Sequence, residues 1–288
     1  MPRHVGLLIV TEPHHELSPV GTTAVGVAVI RAKETQRPDR LFEDQFASVF
    51  VRAAHLDYRG PKDEEMQQRL IRLAHWVTVR TRFLDELLLR ACNEGCRQVV
   101  VLGAGLDARA FRLAWPSGLA LWEVDTAEMF AFKEQVIRDA GWRAVCKRTP
   151  IETDLVGDWS SDLLAGGYDP TAPVAWLAEG LFSYLPFEVV DSIVAETSRL
   201  SVPRSRFGCT LGAPGAPRTA RETAADADRP NDFAALWIST APENSTEWLN
   251  THGWRADTFD PSERSFLYGR SLPSAGTHDA RLVDAVRT

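Results

Sequence analysis

The chain has 288 residues, of which 44% are hydrophobic and 25% charged, and its formal net charge is -7. This composition is typical of a globular protein and excludes disordered and fibrous classes, while the acidic balance argues against a nucleic-acid partner, which binds a Lys/Arg-rich face. The longest apolar runs, residues 6–10 and 24–30, are far shorter than the ~20 residues of a membrane span, and the N-terminus lacks a signal-peptide layout, so the sequence predicts a cytoplasmic protein without a membrane partner.

The first part of the chain has the periodicity of helices, with apolar residues three and four apart. Helices are predicted over residues 23–35, 41–56 and 64–92. The clearest apolar stripe lies in the third of these segments and consists of Leu70, Leu73, Ala74, Val77, Phe83, Leu84, Leu87 and Leu88. We therefore expect residues 1–97 to form a helical cap that is integral to the domain.

From residue 98 onward, short apolar runs alternate with helical segments. The predicted strands cover residues 98–102, 119–124, 143–147, 173–178 and 206–211. The predicted helices between them cover residues 107–113, 127–140, 155–164 and 187–200. This alternation predicts an α/β core over residues 98–288, built on a mostly parallel, doubly wound sheet.

The C-terminal part is less regular. Residues 212–232 are rich in Gly, Pro and Ala and carry no clear periodicity, which predicts a lid-like insertion over about residues 212–245. A helix is predicted over 245–251, and two strands are predicted over 254–259 and 265–268. Because only a short turn joins these strands, we expect an antiparallel pair.

A glycine turn follows the first predicted strand. Gly103-Ala104-Gly105 and the next three residues fit the pattern G-x-G-x-x-[GA] between a strand and a helix. Glycine permits close approach of a ligand to the backbone, and the helix N-terminus favours an anion. Since open α/β sheets bind ligands at the carboxyl ends of their strands, the turn predicts a cofactor site.

Acidic residues follow the next three predicted strands. Asp125 lies where a carboxylate accepts the hydroxyl protons of a ribose, and it could also cap a helix, alone or in addition to that role. Asp154 and Leu155 could contact an adenine ring, and Asp154 could also be a helix cap. Glu179 ends the fourth strand, where a buried carboxylate requires a partner such as the sulfonium or amino group of a cofactor. These acids favour S-adenosylmethionine, although the glycine turn with one acid also fits NAD.

Several segments, in order along the chain, resemble the leucine carboxyl methyltransferase family. The resemblance is to its bacterial branch of S-adenosylmethionine-dependent methyltransferases, which includes polyketide O-methyltransferases. The matching segments are residues 23–24, 34–42, 80–85, 101–113, 123–125, 154–155 and 176–181. Residue Ala108 departs from the threonine usual in that branch, and residues 201–245 match nothing in the family.

The resemblance implies a class I methyltransferase (Rossmann-like) fold with a seven-stranded, mostly parallel sheet, an N-terminal helical cap and a lid after the fifth strand. It implies S-adenosyl-L-methionine as cofactor. The residues expected to bind it are Arg80, Gly103, Ala104, Gly105, Asp125, Asp154, Leu155 and Glu179. In that picture Arg80 pairs with the methionine carboxylate, whereas the periodicity alone would also allow a surface arginine on a long helix.

The predicted function is O-methylation of a carboxylate or a phenolic hydroxyl on a small molecule, such as a secondary metabolite. In-line methyl transfer depends mainly on positioning, so no metal is expected. No histidine lies in a recognisable catalytic motif, and no catalytic base is assigned. Phe182 and Tyr184 could line the acceptor side or pack in the core. The alternatives are an NAD-dependent oxidoreductase and a catalytically silent cofactor-binding scaffold.

Overall fold

The computed structural model describes residues 17–55, 64–212, 242–270 and 280–288. Within these ranges the strands are β1 (Gln98–Leu102), β2 (Ala120–Asp125), β3 (Lys147–Glu152), β4 (Val174–Ala178), β5 (Arg206–Leu211), β6 (Trp254–Phe259) and β7 (Arg281–Arg287). The helices are α1 (Pro19–Thr35), α2 (Ala47–Ala53), α3 (Glu64–Asn93), α4 (Arg109–Arg112), α5 (Ala127–Asp139), α6 (Trp159–Ala165), α7 (Phe187–Arg199), α8 (Ser245–Thr251) and α9 (Pro261–Leu267). A short 3-10 turn covers Phe182–Tyr184.

The strands form a single seven-stranded sheet in the order β3-β2-β1-β4-β5-β7-β6. The first five strands are parallel to one another, and β7 is antiparallel to both β5 and β6. The order reverses between β1 and β4, which creates a crevice at the carboxyl ends of these strands. The predicted class I, mostly parallel α/β fold is confirmed.

Apolar residues of the central strands alternate between two cores, one on each face of the sheet. In β1, Val99 and Val101 pack with the N-terminal helices and α5, whereas Val100 and Leu102 pack with α6 and α7. All five residues of β1 and all five of β4 are buried. Because helices cover both faces of the sheet, side chains on both sides of these strands are buried, and the strands appear in the sequence as continuous apolar runs.

Helix α3 lies directly on the sheet. Leu84 and Leu87 of this helix approach β5 at Gly208, where a Cβ would lie 3.0 Å from Leu87 Cδ1. A glycine in the strand therefore permits the close approach of the helix. Contacts of this helix with β4, β5 and β7 bring the side chains of its central turns to the carboxyl ends of the strands.

The second N-terminal helix is shorter than predicted. A helix was expected over residues 41–56, but the residues before α2 form a loop, and residue 56 lies outside the described ranges. The loop is held by α1, because the Leu41 N–H donates to Glu34 Oε1 at 2.7 Å. Such a contact between elements overrides the helical periodicity of the segment.

The third strand was predicted at the wrong place. The prediction covered residues 143–147, whereas β3 begins at Lys147 and ends at Glu152. This strand lies at the edge of the sheet, where mostly half-exposed residues and Pro150 are tolerated, so it lacks an apolar run. Val145, in the predicted strand, is 61% exposed.

The helix predicted over residues 155–164 starts later, at Trp159, because Asp158 is its N-cap and accepts the Ser161 N–H at 3.3 Å. Asp154 instead forms a turn, with its Oδ1 accepting the Val156 N–H at 3.0 Å. The N-cap alternative for Asp154 is therefore wrong.

The strand predicted over residues 265–268 is a helix. Asp260 caps α9 by accepting the Ser262 N–H at 2.7 Å, and Pro261 occupies the first helical position. This pair is a helix start rather than a hairpin turn. The antiparallel partner of β6 is β7 instead.

Most of the predicted lid, residues 213–241, lies outside the described ranges, so the lid stays a prediction. The division into a cap before residue 98 and a core after it also stays a prediction. No helix among the described residues is long and apolar enough to cross a membrane.

Candidate functional site

A cavity of about 580 Å³ lies at the carboxyl ends of the parallel strands, between the sheet and helices α1 and α3. It brings together nine of the ten predicted site residues. Those that line it are Arg80, Gly103, Ala104, Gly105, Asp125, Asp154, Leu155, Glu179 and Tyr184. These residues, from Arg80 to Tyr184, are up to 104 positions apart in the chain, and they share one surface because parallel strands end at the same edge of a sheet.

The glycine turn forms the floor of the cavity. Gly103 has φ +61° and Gly105 has φ +45°, a region that side chains other than glycine rarely adopt. A Cβ on Gly103 would lie 2.7 Å from Leu181 Cδ1. The turn is tied to β2 by a hydrogen bond from the Ala104 N–H to the Val124 carbonyl. The backbone at this point can therefore approach a ligand closely.

Asp125 is fixed at the end of β2 by two backbone groups. Its Oδ2 accepts the Gly105 N–H at 2.6 Å, and its Oδ1 accepts the Thr126 N–H at 2.7 Å. Thr126, rather than Asp125, is the N-cap of α5 and accepts the Met129 N–H. Because a carboxylate oxygen accepts two hydrogen bonds, Oδ2 keeps a lone pair for a hydroxyl donor. Oδ1 also accepts the Thr126 hydroxyl at 3.4 Å, a long hydrogen bond that a ligand hydroxyl could replace.

The environment of Asp125 shifts its ionisation. Burial raises the pKa of this carboxyl above its usual range, although hydrogen bonds from Gly105 and Thr126 act in the opposite direction. The ionised form is therefore disfavoured relative to an exposed aspartate.

Glu179 is enclosed by arginines from three helices. Its Oε1 accepts Arg31 Nη2 and Arg80 Nε, each at 3.0 Å, and also the Thr81 hydroxyl at 3.3 Å. Arg109 Nη2 lies 2.7 Å from Oε2, but the N–H is not aligned on the oxygen, so this contact is an ion pair without a well-formed hydrogen bond. The expected cationic partner of this buried carboxylate is thus supplied by three arginines of the protein itself.

The arginines decide the ionisation of Glu179. Burial by itself would raise the pKa of this carboxyl, but the charges of Arg109, Arg31 and Arg80 outweigh it and hold the pKa well below its usual range. Glu179 is therefore ionised throughout the neutral range.

Arg80 lies in the cavity wall rather than on the surface of α3. It is 8% exposed, its Nε donates to Glu179, and its guanidinium lies 5.9 Å from the ring centroid of Trp76. Both Nη atoms lie beside Gly180, where a Cβ would be 3.0 Å from each. The absence of a side chain at Gly180 leaves the guanidinium room at the cavity wall, so the alternative of a surface arginine is wrong.

Two arginines of the site were missed in the sequence. Arg31 lines the cavity from α1, and Arg109 lies behind Glu179, with its side chain fully buried. The signal for Arg31 was its place on the buried face of α1, in the same row as Val25 and Ala28. An arginine on the buried face of a helix needs an acidic partner in the interior, because charged side chains are rarely buried unpaired. Such a buried pair is an indication of a functional site.

The cavity continues past the glycine turn to an apolar end beside β4 and β5. The residues that line this end are Val27, Leu73, Trp76, Leu181, Tyr184, Leu185 and Leu211. Of the two alternatives for Phe182, the structure supports packing in the core and not lining of the cavity: its side chain is 3% exposed, and its ring lies 6.3 Å from that of Phe207. The 3-10 turn explains the difference, because with three residues per turn the side chains of Phe182 and Tyr184 point in directions about 120° apart around its axis.

Comparison with known proteins agrees with this architecture. The leucine carboxyl methyltransferase family matches residues 24–198. A protein of Frankia alni named as an S-adenosyl-L-methionine-dependent methyltransferase is 44% identical over 283 residues, which cover 95% of this chain and 96% of the relative. A protein of the same name from Streptomyces avermitilis is 41% identical and covers 96% of this chain and 99% of itself.

Among solved structures, a DUF574 family protein from Streptomyces avermitilis superposes with a TM-score of 0.55 at 12% identity and covers 91% of this chain and 97% of that chain. At this identity the likeness concerns the fold alone. The chain therefore belongs to the leucine carboxyl methyltransferase family and has the class I fold of S-adenosyl-L-methionine-dependent methyltransferases.

Proposed function

We propose that this S-adenosyl-L-methionine-dependent methyltransferase methylates an oxygen of a small molecule, either a carboxylate or a phenolic hydroxyl, such as that of a secondary metabolite. The observation that carries the proposal is a single cavity that runs from the loops after β1, β2 and β3 to an apolar end beside β4 and β5. Its volume of about 580 Å³ is typical of sites for small organic ligands.

The polar groups of the cavity fit the cofactor in chemical type. Asp125 offers two carboxylate oxygens to the ribose hydroxyls, and Asp154 with Leu155 offers an acid and a backbone N–H to the adenine. The glycine turn allows the backbone to lie against the ligand. Arg80, held by Glu179, offers a guanidinium to the methionine carboxylate, while Glu179 is the candidate for its amino group.

The mechanism follows from positioning. When bound, S-adenosyl-L-methionine supplies an electrophilic methyl group on a sulfonium. The protein holds the acceptor oxygen in line with it, which accounts for a large part of the acceleration in reactions of this kind. The apolar walls around Leu73, Trp76 and Leu211 exclude water, which would compete for the site, and bind the carbon skeleton of the acceptor.

The direct test is a screen of carboxylic acids and phenols with cofactor labelled in its methyl group. We expect at least one to be labelled. The rate distinguishes the two classes: a carboxylate is already ionised at neutral pH, so its rate is flat from pH 6 to pH 9, whereas the rate with a phenol of pKa about 10 rises with pH. Bound cofactor without any product across a broad panel would contradict catalysis and favour a scaffold.

Filling the apolar end should block the acceptor and spare the cofactor. For Leu73→Trp we expect KM for the labelled acceptor to rise about tenfold, because overpacking a site costs about 1–3 kcal/mol. The Kd of S-adenosylhomocysteine should change by less than about twofold. The matched control is Leu164→Trp on α6, at a half-exposed site away from the cavity. Equal weakening of both ligands by Leu73→Trp would place the acceptor elsewhere.

Binding of S-adenosylhomocysteine should weaken on acidification. A ribose hydroxyl donates to ionised Asp125, and burial raises the pKa of this carboxyl. The affinity therefore begins to fall at a higher pH than it would with an exposed aspartate. The sign for folding is opposite: the raised pKa favours the protonated folded state, so this group contributes less stability as the pH rises. Calorimetry between pH 4 and pH 8 measures the affinity, and a flat profile would remove Asp125 from the ribose site.

The cytoplasmic location and the lack of nucleic-acid and membrane partners remain predictions from composition.

A further inference from the structure

The cavity wall is backed by a group of buried charges, of which Asp107 and Glu179 line the cavity, whereas Arg109 is not among the lining residues. Arg109 is at the centre of this group, with its side chain fully buried at the start of α4. Its Nε donates to Asp85 Oδ1 at 2.7 Å, its Nη1 pairs with Asp107, and its Nη2 lies 2.7 Å from Glu179 Oε2. One guanidinium thus joins three carboxylates from α3, the glycine turn and the end of β4.

Glu179 connects Arg109 to the arginines of the cavity wall through ion pairs. Glu179 is 5% exposed in its side chain, and its other oxygen binds Arg80 and Arg31, which do line the cavity. Arg80 and Arg109 thus share one buried carboxylate, with Arg80 on Oε1 and Arg109 on Oε2 of Glu179. Burial opposes the charge of Arg109, but Asp107, Glu179 and Asp85 together hold its pKa well above the ordinary arginine value.

We infer that Arg109 is a positioning residue: it fixes Glu179, and through Glu179 it aims the guanidinium of Arg80 at the carboxylate end of the bound cofactor. The inference rests on the proposed function, because it requires that end of the cofactor to lie at Arg80. The guanidinium is needed for its shape, since its planar fork serves three carboxylates at once and an ammonium does not.

The test compares two ligands that differ only at the amino-acid end. S-adenosylhomocysteine carries the amino and carboxylate groups, and 5′-methylthioadenosine has the same nucleoside without them. For Arg109→Lys we expect the Kd of S-adenosylhomocysteine to rise about tenfold and that of 5′-methylthioadenosine to change by less than about twofold. Calorimetry gives both values, and circular dichroism verifies that each variant is folded.

The matched control is Arg112→Lys. Arg112 lies in the same helix, is 5% exposed in its side chain, and pairs with Asp85 at 2.7 Å, but it has no contact with Glu179. We expect this variant to be destabilised and to bind both ligands with less than about twofold change. This control separates two effects: the loss of any buried ion pair in α4, and the loss of the Arg109–Glu179 ion pair that connects to Arg80.

Three outcomes overturn the inference. Equal weakening of both ligands in Arg109→Lys would mean a structural role only. Unchanged binding of S-adenosylhomocysteine would mean that Glu179 and Arg80 keep their places without Arg109. Equal loss in Arg109→Lys and Arg112→Lys would assign the effect to the group of buried charges as a whole. Failure of the unaltered protein to bind either ligand would instead contradict the proposed function.

Discussion

Asp125→Ala is expected to weaken the binding of S-adenosylhomocysteine by about 100-fold or more, because the variant loses two charge-assisted hydrogen bonds to the ribose. The free energy of unfolding should change by less than about 1 kcal/mol. The reason is that two effects on stability offset each other. The variant loses hydrogen bonds from the Gly105 and Thr126 N–H groups, but it also removes a carboxylate that burial disfavours in its ionised form.

Calorimetry and urea denaturation measure these two quantities on the same protein. The control is Asp158→Ala, which removes an exposed aspartate that caps α6 and is not among the residues lining the cavity. For that variant we expect a stability loss of about 1 kcal/mol and unchanged affinity. If Asp125→Ala bound S-adenosylhomocysteine as tightly as the unaltered protein, the ribose would lie elsewhere.

Glu179→Ala should be the most destabilising single change in the site, with a loss of about 3–5 kcal/mol in the free energy of unfolding. The variant leaves the guanidiniums of Arg31, Arg80 and Arg109 buried without their common partner. Binding of S-adenosylhomocysteine should also be lost, because Arg80 no longer has the acceptor that orients it. Urea denaturation is the appropriate measurement, since guanidinium salts would screen the charges.

Two further variants serve as comparisons for the stability of Glu179→Ala. Glu179→Gln keeps the shape and one acceptor oxygen, so we expect a smaller loss of stability than with alanine and still a weakened affinity. Glu196→Ala, which removes the partner of exposed Arg199 on α7, should cost less than about 1 kcal/mol. A Glu179→Ala protein as stable as the Glu196→Ala protein would show that the buried arginines are not held by Glu179.

The architecture and the glycine turn of the site were predictable from the amino-acid sequence. Alternating strands and helices predicted the parallel sheet, because residues buried on both faces must be apolar without interruption. Gly103 and Gly105 were recognisable from their motif because both have a positive φ that other residues rarely adopt, and a Cβ on Gly103 would also meet Leu181. Asp125 was found because it lies at the end of a strand that the sequence predicted, whereas Asp154 was found although the strand before it was predicted too early in the chain.

Features that depend on contacts between distant segments were decided only by the tertiary structure. Strand β3 is at the edge of the sheet that the described residues form, and most of its residues are half-exposed, so it lacked an apolar run. The segment after Asp260 formed a helix rather than the partner of β6, because β7 occupies that place in the sheet. Phe182 turned into the core, while its neighbour Tyr184 turned into the cavity.

The charge balance around Glu179 illustrates the same division. The sequence showed a carboxylate at a buried strand end and correctly implied that it needs a cationic partner. It could not show that the partners are Arg31, Arg80 and Arg109, which come from three helices and lie up to 148 residues away. Pairing of buried charges is decided by which side chains meet in space, and periodicity along one element carries no information about the charges on another.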